Sequence, residues 1–252
     1  MIRVGVGGWT YEPWRGTFYP QGLRQADELK HASRALTAIE INGTFYGSQK
    51  PESYQKWHDE TPDGFRFSLK GPRFAVNRRV LGEAGESIAR FFTTGMDRLG
   101  DKLGPILWQF AATKQFDRDD MAAFIALLPE KLGERRLQHA LEVRHESFRD
   151  PAFLALARGA NCAAVFAHAD KYPTPLDATD APTADFAYAR LQNCAEEEAT
   201  GYPPAALDGW AAQARDWAAD GARDVYVFFI SGAKVRAPAA AQALIARLAA
   251  QS

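Results

Sequence analysis

Five charged residues sit in short apolar runs where a buried strand should carry none. Glu40 lies in Ala38-Ile-Glu-Ile-Asn42 and Lys70 in Arg66-Phe-Ser-Leu-Lys70. Glu142 and Arg144 lie in His139-Ala-Leu-Glu-Val-Arg-His145, and Arg190 in Phe186-Ala-Tyr-Ala-Arg-Leu-Gln192. A strand covered on both faces is normally built from Val, Ile and Leu, and an isolated buried charge is costly, so these groups need a shared polar destination. Strand alternation separates Ile39, Ile41, Phe67, Leu69, Leu141 and Val143 from Glu40, Asn42, Ser68, Lys70, Glu142 and Arg144. The second set is the inward one. Its chemistry is that of a mixed-charge site: Lys70 and Arg144 hold an anion or developing negative charge, and Glu40 or Glu142 transfers protons. Carboxylates and bases should also neutralise one another. The types and spacing leave the choice between the two carboxylates open.

The elements that must position these groups recur down the chain. Strand-like segments cover residues 2–9, 38–45, 65–71, 105–110, 138–145, 163–169, 186–192 and 225–230. Between them Ile88, Phe91, Phe92, Met96 and Leu99 form one helical stripe across 86–100, and Leu207, Trp210, Ala211, Ala214 and Trp217 form another. Residues 119–132 and 238–250 also read as helices, with Pro238 suited to a first turn. Eight strands with interleaved helices in 252 residues predict an α/β fold, a TIM (β/α)8-type barrel forming one domain over residues 1–252. A doubly wound open sheet is the alternative. In a barrel the charges would gather inside the mouth, where catalytic groups come from the ends of several strands. A structural ion network plugging the barrel is the competing reading.

Two connections lack a clear helix, 10–27 and 170–185, and both follow strands, so both would overhang the mouth. The first offers Trp9, Tyr11, Trp14, Phe18 and Tyr19 for stacking on a ligand, with Phe18 and Tyr19 better suited to a small loop core and Trp9, at the strand end, the best contact. Val4-Gly-Val-Gly-Gly8 lacks both G-x-G-x-x-G spacing and a following helix, so no nucleotide cofactor is implied. His145 and His168 end neighbouring segments, yet no metal-ligand spacing supports a metal there. Cys162 precedes the sixth segment and Cys194 follows the seventh, which puts them at opposite strand ends, on the order of 20 Å apart, too far for a disulfide.

A net charge of -1 argues against nucleic acid as a partner. No apolar run approaches the roughly 18 residues of a membrane span, and Ile2-Arg-Val-Gly-Val6 opens without a signal core, which predicts a cytoplasmic protein with no membrane partner. Oligomeric state is not encoded in these patterns.

Taken in order, the segments resemble the bacterial and archaeal family called domain of unknown function 72, or YecE-like. The resemblance is carried by Gly8-Trp-Thr-Tyr11, Trp14-Arg-Gly16, Phe18-Tyr-Pro20, Glu40-Ile-Asn42, Thr44-Phe-Tyr46, Phe67-Ser-Leu-Lys70, Pro72-Arg73, Leu103-Gly-Pro105 with Gln109, Glu142-Val-Arg-His145 and Asp224-Val-Tyr-Val227. It implies a TIM barrel and leaves the activity unnamed. The sequence departs from the family pattern at Val76-Asn-Arg78, at Arg190-Leu-Gln192-Asn193, at Ile230-Ser231 in place of paired asparagines, and at Ala239-Ala240-Ala241.

These readings predict catalytic roles for Glu40, Lys70 and Glu142 and substrate contacts from Trp9, Asn42, Tyr46, Arg73, Gln109, Arg144, His145 and Arg190. The leading function is an enzyme, of hydrolase or lyase type, using acid-base chemistry on a small polar or anionic substrate such as a sugar or phosphorylated metabolite, without metal or cofactor. A nucleic-acid-processing protein, by analogy with TIM-barrel repair endonucleases, and a non-catalytic binding module, suggested by the C-terminal departures, are the alternatives.

Overall fold

A computed structural model describes residues 1–176 and 181–250. Its strands form a ring of parallel ladders: β1 (Ile2–Gly7), β2 (Ala38–Ile41), β3 (Arg66–Lys70), β4 (Leu103–Gln109), β5 (His139–Glu142), β6 (Ala163–Ala164 and Phe166–His168), β7 (Phe186–Leu191) and β8 (Asp224–Phe229). Each pairs with its chain neighbours, and β8 returns to β1 through Ile2 to Val6 against Val225 to Phe229. β6 changes partner midway. Ala163 and Ala164 pair with β5, whereas Phe166, Ala167 and His168 pair with β7, so the ring is completed by chain continuity through Val165. The architecture is the TIM-barrel type that the strand count predicts.

Sidedness follows the alternation. Ile39, Ile41, Phe67, Leu69, Leu141 and Val143 belong to the large core between strands and helices. The barrel interior is a separate apolar cluster that includes Ala38, Leu107, Ala140, Val165, Phe186, Tyr188, Tyr226 and Phe228. Tight packing inside demands glycine at Gly5, where a Cβ would lie 1.9 Å from the Ala38 carbonyl oxygen.

Several boundaries differ from the sequence expectation, each for a local reason. The second strand ends at Ile41 and its segment turns into one helical turn, Gly43–Tyr46. The helix expected over 119–132 spans only Arg118–Ala126, where the Asp117 side chain accepts from the Asp119 and Asp120 amides. Pro129 lies beyond it and cannot continue a helix; Lys131–Leu132 instead pairs antiparallel with Arg135–Arg136. The stripe expected over 86–100 is broken at Gly95, whose φ of 91° separates the helix Gly85–Phe92 from a 3-10 segment, Met96–Lys102. The helix Pro204–Ala218 carries its predicted stripe, and the helix expected over 238–250 spans Ala237–Ala249 with Pro238 in its first turn. In the first long connection Trp14 and Tyr19 are fully buried, so it carries its own core. Of the second, residues 177–180 lie outside the described residues.

Candidate functional site

Glu40 and Glu142 are both fully buried inside the upper barrel, and one side chain from a third strand binds both. Arg190 places Nε and Nη2 3.0 Å from the two oxygens of Glu40 and Nη1 2.5 Å from Glu142 Oε2. Tyr188, one inward position below Arg190, donates to Glu40 Oε2 at 2.8 Å and is 2.8 Å from Ser68 Oγ. Glu142 also accepts from Gln109 Nε2 at 2.8 Å, and from Arg144 Nε at 2.9 Å with Nη2 at 2.8 Å. This geometry sets the protonation. Burial pushes the Glu142 carboxyl up, but Arg190 and Arg144 outweigh it and bring it down to about 2. Burial likewise opposes the Arg190 charge, and Glu142 and Glu40 more than restore it. Burial and the adjacent Glu40 raise the Tyr188 phenol well above its ordinary value, so it stays a neutral donor.

Lys70 is left out of this network, against the expectation that the carboxylates would neutralise it. Glu40 is level with Ser68 on β3, so Lys70 lies two residues, about 7 Å, nearer the strand ends. The Arg190 side chain, not that of Lys70, reaches both carboxylates. Among the described residues the Lys70 ammonium has no ion pair or hydrogen bond; it sits 4.3 Å from the centre of the Phe45 ring. Only 7% of the residue is exposed, and burial, with the nearby Arg190 charge adding to it, lowers its pKa to about 8.

Above the network opens a cavity of about 300 Å³ lined by Gly7, Trp14, Asn42, Lys70, Gln109, Arg144, Arg190, Phe229, Ile230, Ser231 and Lys234. Its charge is lopsided. Four cations line it, Lys70, Arg144, Arg190 and Lys234, while Glu40 and Glu142 are held by Arg190 and Arg144. The Lys234 ammonium lies 4.4 Å from the Tyr11 ring centre and 5.7 Å from that of Trp14, and burial lowers its pKa. Trp14 Nε1 donates to the Lys234 carbonyl at 2.9 Å and so ties the first loop to the last. Among the described residues no three His, Cys, Asp or Glu gather as a metal site. Cys162 and Cys194 are both free and buried.

Of the residues expected at the site, Glu40, Asn42, Lys70, Gln109, Glu142, Arg144 and Arg190 are brought together. Four are not. Trp9 packs edge-on against Trp57 and Phe67, whose strand parity points to the helices, so it belongs to the outer core. His145 uses Nδ1 to accept from the Ser147 amide at 3.2 Å, which caps the turn Glu146–Arg149 beyond the strand end. Tyr46 is 65% exposed and lines a neighbouring groove, and Arg73 stacks on Phe74 at 5.0 Å beside it. Sequence reasoning missed Tyr188 and Lys234. Tyr188 shares the inward parity of Arg190, and Lys234 follows the last strand, so both signals were available.

Residues 3–252 match the family described as Protein of unknown function DUF72. The chain belongs to that family. Among its relatives, UPF0759 protein YecE of Escherichia coli K12 is 28% identical over 148 residues, 59% of this chain and 50% of its own length. UPF0759 protein YunF of Bacillus subtilis is 23% identical over 158 residues, 61% of this chain and 54% of its own. The matched region thus spans about half the length of these curated relatives. A DUF72 protein of Thermotoga maritima superposes with a TM-score of 0.77 at 21% identity, covering all of both chains. One from Enterococcus faecalis does so with a TM-score of 0.77 at 18% identity, covering 99% of this chain and 96% of its own. A xylose isomerase-like TIM barrel within a dioxygenase fusion protein gives 0.57 at 16% identity, over 95% of this chain and 41% of its own. At these identities the solved structures establish the fold. Among the described residues no helix is long and apolar enough to cross a membrane.

Proposed function

We propose that the barrel mouth is the active site of an enzyme that binds a small anionic substrate, of the sugar-phosphate or carboxylate kind, and moves a proton with Lys70. The observation that carries this is the mismatch between charge and partners. Lys70 and Lys234 are desolvated ammonium groups facing a cavity with no carboxylate bound to either among the described residues. An anion entering the mouth supplies the missing countercharge, and water exclusion strengthens that attraction. A lysine held near pH 8 has both protonation states accessible at neutral pH, as a general acid or base requires.

Glu40 and Glu142 take a different role from the one their residue types first suggest. Both oxygens of each accept from arginine, which ties both carboxylates up as acceptors, and Glu142, held at about 2, is not poised to exchange protons near pH 7. They are positioning residues for Arg190 and Arg144. Arg144, whose guanidinium lies 4.3 Å from the Tyr172 ring centre, reaches the cavity together with Gln109 and supplies further donors to the substrate.

Calorimetric titration of the purified chain with inorganic phosphate and a panel of sugar phosphates and small carboxylates tests the reading. We expect saturable binding that weakens above pH 8 and falls at least ten-fold in Lys70→Met. Absence of binding by any anion at millimolar concentration refutes it. Once a turned-over substrate is found among the binders, Lys70→Met should abolish turnover, while Lys234→Met should mainly raise KM.

A further inference from the structure

Beside the mouth lies a second cavity, a groove of about 470 Å³ whose lining includes Phe45, Tyr46, Tyr54, Phe74, Arg78 and Arg90. It is built by the chain that follows β2 and β3, directly beyond Ile41 and Lys70, the last residues of those strands. The two cavities share a wall. Phe45 lines the groove and also presents its ring to Lys70 Nζ at 4.3 Å, and Thr44, which lines the groove too, donates from Oγ1 to the Lys70 carbonyl at 2.7 Å. Asn42, at the start of the helical turn Gly43–Tyr46, lines the mouth, while Thr44, Phe45 and Tyr46 of that turn line the groove.

The groove has the surface chemistry of a ring-binding site. Among the described residues only four large hydrophobic side chains are strongly exposed, and two of them, Tyr46 at 65% and Phe74 at 62%, line this one groove. Such clustering marks a surface that meets a ligand. Cations flank the rings. Arg78 is fixed by bonds from Nε to the Phe74 carbonyl at 3.0 Å and from Nη2 to Ser87 Oγ at 3.2 Å, and Arg73 lies over Phe74 at 5.0 Å. The guanidinium of Arg90 has no partner among the described residues. Among the described residues only Glu86 opposes them in the lining.

We infer that mouth and groove hold one ligand: an anionic group against Lys70 and Lys234, joined to a planar aromatic or heteroaromatic ring that packs against Tyr46 and Phe74. The inference rests on the anion-binding reading of the mouth and adds the second half of the substrate. Each cavity falls at or within the volume range of ordinary small-molecule sites, and Phe45 is the edge over which the linkage passes. Aromatic contact with two rings, next to arginines that favour electron-rich faces, selects such a group over an aliphatic one.

Titration of the full chain with inorganic phosphate, phenyl phosphate and n-butyl phosphate tests this. We expect phenyl phosphate to bind about ten-fold tighter than phosphate and several-fold tighter than n-butyl phosphate, the advantage an aromatic contact brings. Tyr46→Ala with Phe74→Ala should remove that advantage and leave inorganic phosphate affinity unchanged; both residues are exposed, so the fold is not at stake. Lys70→Met should weaken all three anions. Equal affinity for phosphate and phenyl phosphate, or a ring advantage that survives the double substitution, overturns the inference while leaving the mouth as an anion site. Failure of every anion to bind overturns the reading of the mouth and this inference with it.

Discussion

Replacing Lys70 by Met should stabilise the protein at neutral pH while destroying anion binding. The lysine amine falls from its ordinary 10.5 to about 8 on folding, a gap that corresponds to about 3 kcal/mol of cost in keeping it charged. Met fills a similar volume without the charge. The lost contact with Phe45, 4.3 Å from the ammonium, offsets about 1 kcal/mol, leaving a gain of about 2 kcal/mol. For a chain of this length that is a rise in Tm on the order of 5 °C. The sign with pH is fixed by the direction of the change. Below about pH 8 both folded and unfolded lysine are charged and the cost is complete. Between about 8 and 10.5 the unfolded chain binds the extra proton, so the wild type gains stability as pH rises and the advantage of the variant shrinks towards zero. Urea unfolding of both proteins at pH 7, 9 and 10.5 measures this, and parallel titration with phosphate measures binding. A loss of about 3 to 5 kcal/mol in the variant at pH 7 would refute the reasoning, because it is what a countercharge of Glu40 or Glu142 would produce.

Arg190→Met should behave in the opposite way, leaving Glu40 and Glu142 buried without their shared partner at a cost of about 3 to 5 kcal/mol, read from urea midpoints or, in the extreme, from failure to fold. Glu142→Gln should cost about 3 kcal/mol at pH 7, since the carboxyl falls from 4.5 to about 2 on folding; that contribution is complete above pH 4.5 and disappears as pH drops towards 2, so the two unfolding curves should converge in acid. Gly5→Ala should cost at least about 3 kcal/mol by thermal denaturation, because the added methyl meets backbone rather than a movable side chain. Both thiols, pushed up to about 12 by burial, should react with a thiol reagent at least a hundred-fold more slowly in the native protein than in denaturant.

Strand identity and facing were legible in the sequence because alternation is a local property. Ile39 and Phe67 had to point one way and Glu40 and Ser68 the other, whatever the rest of the chain did. The same logic exposed seven polar residues that meet at one end of the ring, and the strand count named the barrel. Trp9 and His145 went astray because each lies beyond the last ladder residue, where alternation no longer dictates direction and local packing does. Pairing was beyond the sequence altogether. Arg190 lies 150 residues from Glu40 and 48 from Glu142, and only the stagger of closed strands decides which cation reaches which carboxylate. That stagger put the Arg190 guanidinium within reach of both acids and left the Lys70 ammonium without a carboxylate partner among the described residues. The sequence thus determined that buried charges share one mouth. The tertiary structure decided that an arginine neutralises the acids, which leaves the lysines as the charges free to meet a ligand.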